Sequence, residues 1–333
     1  MRKLLWIIIS ISVLWGGYWF VGSRAVERGV ISWLDDTESR DWNINYAAAN
    51  TTGFPNRFDT TVDGVTVTSA DARLAWSAPF LQIFALSYKP NHIIAVWPNS
   101  QTVSIGTQKL AVTTDRMRGS VVFKPETALT LDRSSLEVKN FALQSNQGWS
   151  VAADALQLNT SLTATDENAQ DVLFQVLKLR PSDRFMSALD PDGNLPAEFD
   201  AIRLDAALTF DAPWDRFAVD QQLPGLTDIN INRFQFQWGE LDFRASGNLS
   251  LDGRGYVQGK LSVTAQNWRE IYKILVRIGV VQGNFAGPIE SFLQIMALET
   301  EDPNLLQADW VFKDGRMRIG AIPLGPAPRL RRR

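Results

Sequence analysis

The amino-acid sequence predicts a mostly β protein, in which an N-terminal transmembrane helix precedes an elongated, curled antiparallel sheet with two short C-terminal amphipathic helices. Three observations lead to this fold class. An uncharged apolar run lies near the N-terminus, apolar and polar residues alternate over most of the chain, and two apolar stripes at helical spacing follow. With 333 residues, the chain is also long enough to bury a large core.

The N-terminal segment predicts a single membrane span. The run Leu4–Ser23 carries no charge, and about twenty helical residues cross the roughly 30 Å hydrocarbon core of a bilayer. Arg2 and Lys3 favour a cytoplasmic N-terminus. The predicted order is a cytoplasmic N-terminus, the span, and a connecting helix or linker, over residues 1–3, 4–23 and 24–40. Cleavage near Gly22–Ala25 is the alternative, because the small residues there resemble a signal-peptidase site.

Residues 41–328 are predicted to form one exported β-rich domain, because apolar and polar residues alternate with a period of two. The clearest hairpin has a tight turn at Asp252–Gly255. Its apolar residues share one parity and would lie on one face: Leu241, Phe243, Leu249, Leu251, Val257, Leu261 and Val263. Similar runs occupy residues 156–162, 202–210 and 234–238. A lobe boundary near residues 190–196 is the alternative to one domain, and a basic tail at 329–333 ends the chain.

The two predicted C-terminal helices have recognisable ends. Asn267 forms an N-capping pattern with Glu270 ahead of the first apolar stripe, and Gly279 is a candidate stop. Pro288 suits the first turn of the second helix. A last hairpin turns at residues 313–315.

The composition argues against several classes of function. The chain has no cysteine and His92 is its only histidine, which removes thiolate sites and most histidine-dependent mechanisms. A net charge of −3 gives no dominant basic surface for nucleic acid. We therefore expect a protein that is not an enzyme, uses no cofactor and no metal, and binds no nucleic acid. A pair of carboxylates brought together from distant strands is the catalytic arrangement that stays open.

Two surfaces are candidate binding sites. The seven apolar residues of the hairpin would line a groove for a lipid-like ligand if the sheet is single and curled, or a closed core if two sheets pack together. Arg269, Lys273 and Arg277 form a basic stripe that suits lipid headgroups, although a solvated helix face has the same pattern. Residues 190–194 resemble a calcium loop but lack its glycine and its bidentate glutamate, so a plain turn is expected.

The C-terminal third resembles a known bacterial family, domain of unknown function 2125. The resemblance is carried by Leu249–Leu261, Phe312–Gly320 and Ile322–Pro328, and the segment Gly53–Phe58 fits the same layout. Members of that family have an N-terminal membrane anchor and no established activity, so the resemblance implies an anchor and supplies no catalytic residues. The overall plan is also similar to AsmA-like envelope proteins, which implies envelope maintenance by holding or moving lipid along a sheet-lined groove.

These features together predict a non-enzymatic protein of the bacterial inner membrane, single-pass, with the bulk of the chain in the periplasm. It would bind or pass lipid-like apolar ligands along its amphipathic sheet. The alternative is an anchored interaction module or scaffold that recruits an envelope protein partner.

Overall fold

The computed structural model describes residues 2–36, 42–220, 223–281, 283–298, 301–320 and 322–330. The described chain divides into two compact units, Met1–Pro125 with Ser134–Ser150 and Glu126–Arg133 with Val151–Arg333. Both units consist mainly of antiparallel strands, so the predicted mostly β class with an N-terminal apolar helix and short helices late in the chain is confirmed.

The first unit contains the N-terminal helix and the strands that follow it. Their bounds are α1 Arg2–Asp36, β1 Trp42–Asn45, β2 Ala48–Thr52, β3 Arg57–Ser69, β4 Leu74–Leu86, β5 Lys89–Trp97, β6 Ser100–Ile105, β7 Gln108–Thr113, β8 Arg116–Phe123 and β9 Leu131–Ser145. Strand β3 pairs with β1, β2 and β4, strand β4 pairs also with β5 and β6, β5 pairs with β8, and β7 with β6 and β9. The long strands β3 and β4 therefore organise this unit.

Helix α1 continues without a break beyond the predicted span and packs on this sheet. Its Leu34 forms a core cluster with Ile44, Val62 and Val65, and the Glu27 carboxylate accepts a hydrogen bond from the Thr51 backbone N–H at 3.1 Å. The segment predicted as a connecting helix or linker is thus helical as far as Asp36, and residues 37–40 lie outside the described residues.

The second unit is a meander in which successive strands pair antiparallel, from β10 to β18. The bounds of its elements are β10 Ser150–Leu162, β11 Ala169–Leu179, α2 Asp183–Leu189, β12 Phe199–Phe210, α3 Arg216–Asp220, β13 Leu226–Trp238, β14 Leu241–Leu251, β15 Val257–Gln266, α4 Trp268–Arg277, α5 Gly283–Ala297, β16 Leu305–Lys313, β17 Arg316–Ile319 and β18 Ile322–Pro326. Each strand pairs with the next one along the chain. Short turns join pairs such as β14 and β15, whereas α2, α3 and the helices α4 and α5 lie in the longer connections.

The predicted hairpin is confirmed as β14 and β15. Phe243 lies opposite Ala265 and Leu251 lies opposite Val257, so the apolar residues of both strands share one face. Strand β13 ends at Trp238, which explains why the parity of the apolar residues changes in the turn before β14. The predicted last hairpin is also present, as β16 and β17.

Two details of the C-terminal helices were predicted wrongly. Asn267 precedes α4 but has a left-handed backbone (φ 54°) and makes no side-chain cap; its amide nitrogen donates instead to the Glu240 carbonyl at 2.9 Å. Helix α5 begins at Gly283, so Pro288 lies inside the helix rather than in its first turn. The Tyr272 hydroxyl of α4 donates to the Ala286 carbonyl at 2.6 Å, which holds this early part of α5 in place.

Three clusters of buried apolar residues lie in the second unit. Trp268 and Tyr272 of α4, with Leu293 of α5, pack on β15 and β16. A second cluster joins α2 to the ends of β12 and β13, and a third lies between the β14–β15 hairpin and the C-terminal strands. The helices therefore cover only part of the apolar side of the sheet.

Candidate functional site

The apolar residues predicted to line a groove in the β14–β15 hairpin lie largely within the core. Leu241, Leu249, Val257 and Val263 are buried, whereas Phe243, Leu251 and Leu261 are half-buried. The helices α4 and α5 pack near Phe243, and the C-terminal strands pack on Leu249 and Val257. Ligand binding by this hairpin stays a prediction, and only its half-buried residues offer surface to a ligand.

The same apolar face continues from the hairpin onto the preceding strands. In one row across the sheet, Leu158 lies opposite Phe174, Phe174 opposite Leu204, and Leu204 opposite Phe234. A parallel row contains Leu156, Val176, Ile202 and Phe236. We call these eight side chains the β10–β13 face. Because residues opposite each other on neighbouring strands have Cβ atoms about 5 Å apart, the eight side chains form a continuous apolar surface.

The β10–β13 face is only partly covered. The cluster of Leu189, Phe199 and Trp238 closes one end, where the Trp238 indole N–H donates to the Pro196 carbonyl at 2.7 Å. Within the described residues, no buried cluster includes Leu158, Phe174 or Leu204. These three side chains are half-buried, so their apolar area is available to a ligand.

The opposite side of the same strands is polar, because the Arg203 guanidinium donates there to the side-chain oxygens of Gln237 at 2.9 Å and Gln235 at 3.4 Å. At the end of β11, Lys178 lies 2.7 Å from Asp200 and 3.0 Å from Glu198, and Arg180 bridges Glu198 and Asp154. The hydrogen bond from Lys178, with one from the Gly239 backbone N–H, holds the pKa of Asp200 below its ordinary value. One apolar and one polar face on a single layer of strands is the arrangement expected of an antiparallel sheet that meets water on one side.

The predicted basic stripe is engaged in contacts within the protein. The Arg269 guanidinium donates to the Pro303 carbonyl at 3.0 Å and lies over the Trp268 ring, with its carbon 4.7 Å from the ring centroid. Lys273 pairs with Glu270 at 2.7 Å. Arg277 donates to the Leu189 carbonyl at 2.8 Å. These contacts do not test lipid binding, but each of the three cationic side chains forms an interaction within the protein.

The remaining candidate residues serve local structure. The Asp190 carboxylate accepts the Leu195 backbone N–H at 2.6 Å, so residues 190–195 form a tight turn. The His92 imidazole lies 3.0 Å from the Ser120 hydroxyl, as expected for a half-buried, hydrogen-bonded histidine. Across the described residues, no three histidine, cysteine or acidic side chains are grouped as metal ligands would be.

An open cleft of about 530 Å³ lies in the first unit, against β6, β7 and the turn after β9. Its lining includes Lys109, Gln144 and Trp149, and no carboxylate is among the described lining residues. The cleft therefore lacks the carboxylate pair that glycoside hydrolysis requires.

Sequence reasoning identified alternating runs within β10, β12 and β13 but not within β11, and it did not select their residues as a site. Parity shows which side chains of one strand share a face. It does not show which parts of that face a helix covers, since α4 and α5 are remote in sequence from Leu158 and Phe174. The signal that was available is the density of Phe and Leu at alternate positions in β11–β13.

Fold and site together define a class of protein: a mostly β chain with one N-terminal helix that is long and apolar enough to cross a membrane, Arg2–Ser32. Residues 19–328 match the family described as "Uncharacterized protein conserved in bacteria (DUF2125)", and the chain belongs to this family. No curated protein and no solved structure matches the chain. The similarity to AsmA-like proteins stays a prediction.

Proposed function

We propose that this protein is a non-enzymatic component of the bacterial cell envelope that binds or passes lipid-like molecules on the β10–β13 face. Helix α1 anchors it in the inner membrane, and the strands lie in the periplasm. The observation that carries this proposal is the partly uncovered apolar face, in which Leu158, Phe174, Leu204 and Phe234 form an unbroken row.

Hydrophobic energetics favour an apolar ligand on this face. Complete burial of a Leu or Phe side chain contributes about 1.5–3 kcal/mol, and each buried CH₂ group of a ligand contributes about 0.8 kcal/mol. An acyl chain that covers a row of four half-buried side chains therefore removes apolar area of both partners from water. No directional polar contact is needed, which suits a face built of hydrocarbon side chains.

The structure of α1 supports the anchor. The apolar side chains between Leu4 and Leu14 are exposed, with exposed fractions of 64% for Leu4 and 73% for Leu14. This is expected of a segment surrounded by lipid rather than by protein. Gly22 and Ser23 are packed on the first unit, with Ser23 only 6% exposed. Cleavage at this point would remove a helix segment that packs within the fold. We therefore favour an uncleaved anchor over a cleaved signal peptide.

A binding experiment with a matched control tests the proposed site. Phe174→Asp and Leu204→Asp each place a carboxylate on the β10–β13 face, whereas Leu173→Asp places one on the opposite face, where Leu173 is 52% exposed. We expect the two face variants to weaken binding of a fluorescent fatty-acyl probe about tenfold or more, because a buried charge opposes an acyl chain. Leu173→Asp should bind the probe like the wild type.

Melting curves of the three variants provide the folding control, since all three changes lie in neighbouring strands. If the delipidated wild-type protein binds no acyl probe and no lipid co-purifies with it, the proposal is wrong. Equal loss of binding in Leu173→Asp and Phe174→Asp would also contradict it, because the effect would then be independent of the face.

A second candidate function, recruitment of a protein partner, is supported by exposed apolar side chains near α4 and α5. Ile278 and Val280 beyond α4 are 50% and 62% exposed, and Ile295 and Leu298 at the end of α5 are 62% and 73% exposed. Exposed apolar side chains near two adjoining helices suit an anchored interaction module that recruits an envelope protein. Crosslinking in intact cells should then recover one stoichiometric partner, which is lost with Val280→Asp and Ile295→Asp but kept with Phe174→Asp.

A further inference from the structure

Three aromatic side chains of α1 hold two turns of the sheet beside the helix. The Trp15 indole donates to the Pro55 carbonyl at 3.0 Å, and the Trp19 indole donates to the Arg57 carbonyl at 2.8 Å. The Tyr18 hydroxyl donates to the Ser87 carbonyl at 2.7 Å. The β2–β3 turn at residues 53–56 and the β4–β5 turn at residues 87–88 therefore lie level with this part of the helix.

The length of α1 decides where these turns lie relative to a bilayer. Each helical residue rises about 1.5 Å, so the run from Leu4 to Leu14, before the first of these contacts, is only about 16 Å long. A hydrocarbon core is about 30 Å thick and needs about twenty helical residues, which ends the span near Ser23. Trp15 then lies about 12 Å inside that end, and Trp19 about 6 Å inside it.

The two turns carry side chains that suit the boundary between lipid and water. Phe54 is 56% exposed and Tyr88 is 59% exposed, although both are large and apolar. Arg57 and Lys89 are exposed beside them. Aromatic rings at the boundary with cations at the headgroup level are typical of membrane interfaces.

Backbone polar groups of these turns are hydrogen-bonded within the protein, as a membrane environment requires. A turn at membrane depth is tolerated only where protein groups satisfy its polar atoms. The three aromatic donors of α1 satisfy the carbonyls of Pro55, Arg57 and Ser87. The Ser87 backbone N–H donates to the Asn56 carbonyl at 2.9 Å, which joins the two turns to each other.

From this geometry we infer that the β2–β3 and β4–β5 turns insert into the periplasmic leaflet beside α1, with Phe54 and Tyr88 among the acyl chains and Arg57 and Lys89 at the headgroups. The occupant of this surface is the bilayer itself, because the surface continues the lipid-facing side of α1. The inference rests on the proposed function in one respect, namely that α1 spans a membrane.

The chain contains no cysteine, so single cysteines report on single positions. Phe54→Cys and Tyr88→Cys, labelled with an environment-sensitive fluorophore, are reconstituted in phosphatidylethanolamine–phosphatidylglycerol vesicles that contain nitroxide-labelled lipids. Leu74→Cys is the matched control, because Leu74 is 42% exposed at the other end of β4, about 40 Å from the β4–β5 turn. Ile9→Cys reports on the helix itself.

We expect blue-shifted emission and strong quenching by nitroxide lipids at Phe54 and Tyr88, and neither effect at Leu74. Quenching at Ile9 without quenching at Phe54 and Tyr88 would overturn the inference and leave the anchor intact. No lipid quenching at Ile9 would overturn the anchor and the inference together. Protection of Phe54 and Tyr88 from aqueous iodide without lipid quenching would show that protein covers the turns, which also overturns the inference.

Discussion

Gly22 of α1 lies against the ring of Phe58 in β3, and a Cβ atom at Gly22 would come within 2.8 Å of that ring. Phe58 is only 4% exposed, and its ring is also 6.2 Å from the Trp19 ring. The absence of a side chain at Gly22 therefore lets the helix approach the strand closely. This contact lies just where the predicted membrane span ends.

We expect Gly22→Leu to separate α1 from β3. Overpacking of a close contact costs about 1–3 kcal/mol, so the free energy of unfolding of the first unit should fall by that amount. Gly29→Leu is the control, because a Cβ at Gly29 has no heavy atom within 4 Å. Denaturant titration in detergent micelles measures both variants. Leucine is a better helix former than glycine at both positions, so helix propensity alone would stabilise both variants. Similar losses for the two variants would therefore show that the contact with Phe58 does not determine the effect.

The β14–β15 hairpin contains two glycines that no other residue should replace. Gly247 has a φ of 147° and Gly259 a φ of 124°, and a Cβ on either would lie within 2.2 Å of a carbonyl oxygen of the partner strand. Gly247→Ala and Gly259→Ala should each destabilise the second unit by about 1–3 kcal/mol or more. Gly253→Ala in the turn meets no atom within 4 Å and should melt like the wild type.

Removal of the Tyr272 hydroxyl should loosen α5. Tyr272→Phe leaves the Ala286 carbonyl without this donor, and a hydrogen bond of this kind contributes about 0.5–1.5 kcal/mol. Hydrogen exchange should become faster in α5 and stay unchanged in β11 and β12. Uniformly faster exchange throughout the second unit would instead mean that the bond supports global stability.

The ion pair of Asp200 predicts a dependence of stability on pH. The pKa of Asp200 lies below its ordinary value of 3.8, so the bond to Lys178 stabilises the folded state above that pH and is lost as the pH falls further. Wild type should exceed Asp200→Asn in stability at pH 7, by a small amount because both side chains are partly exposed. The difference should shrink below about pH 4. A constant difference down to pH 3 would contradict the assignment.

Local patterns were sufficient for the strands and the hairpins. In β14 and β15 the alternation of apolar residues and the turn at Asp252–Gly255 both arise within about 25 residues, so the sequence contained the whole signal. The cap at Asn267 was predicted wrongly because the tertiary contact with the Glu240 carbonyl fixes its side chain elsewhere. Pro288 was misplaced because α5 begins at Gly283, more than one turn before the position that the proline suggested.

The candidate site could be predicted only in part. Parity indicated that Leu204 would face the same way as its neighbours Ile202 and Leu208, whereas Phe174 of β11 was not singled out. The partial exposure of these side chains depends on where helices such as α4 and α5 pack, which is a long-range property. The contacts of Trp15 and Trp19 with the turns near Pro55 were likewise hidden, since hydropathy reports the length of a span and not its neighbours.

The unbroken helix α1 also has a mechanical consequence. Its hydrogen bonds and its packing on β2 and β3 leave no hinge between the apolar segment and the first unit within Arg2–Asp36. A spanning helix tilts when the bilayer is thinner than its hydrophobic length. The first unit would have to tilt by the same angle, so the thickness of the surrounding lipid would set the angle between these strands and the membrane plane.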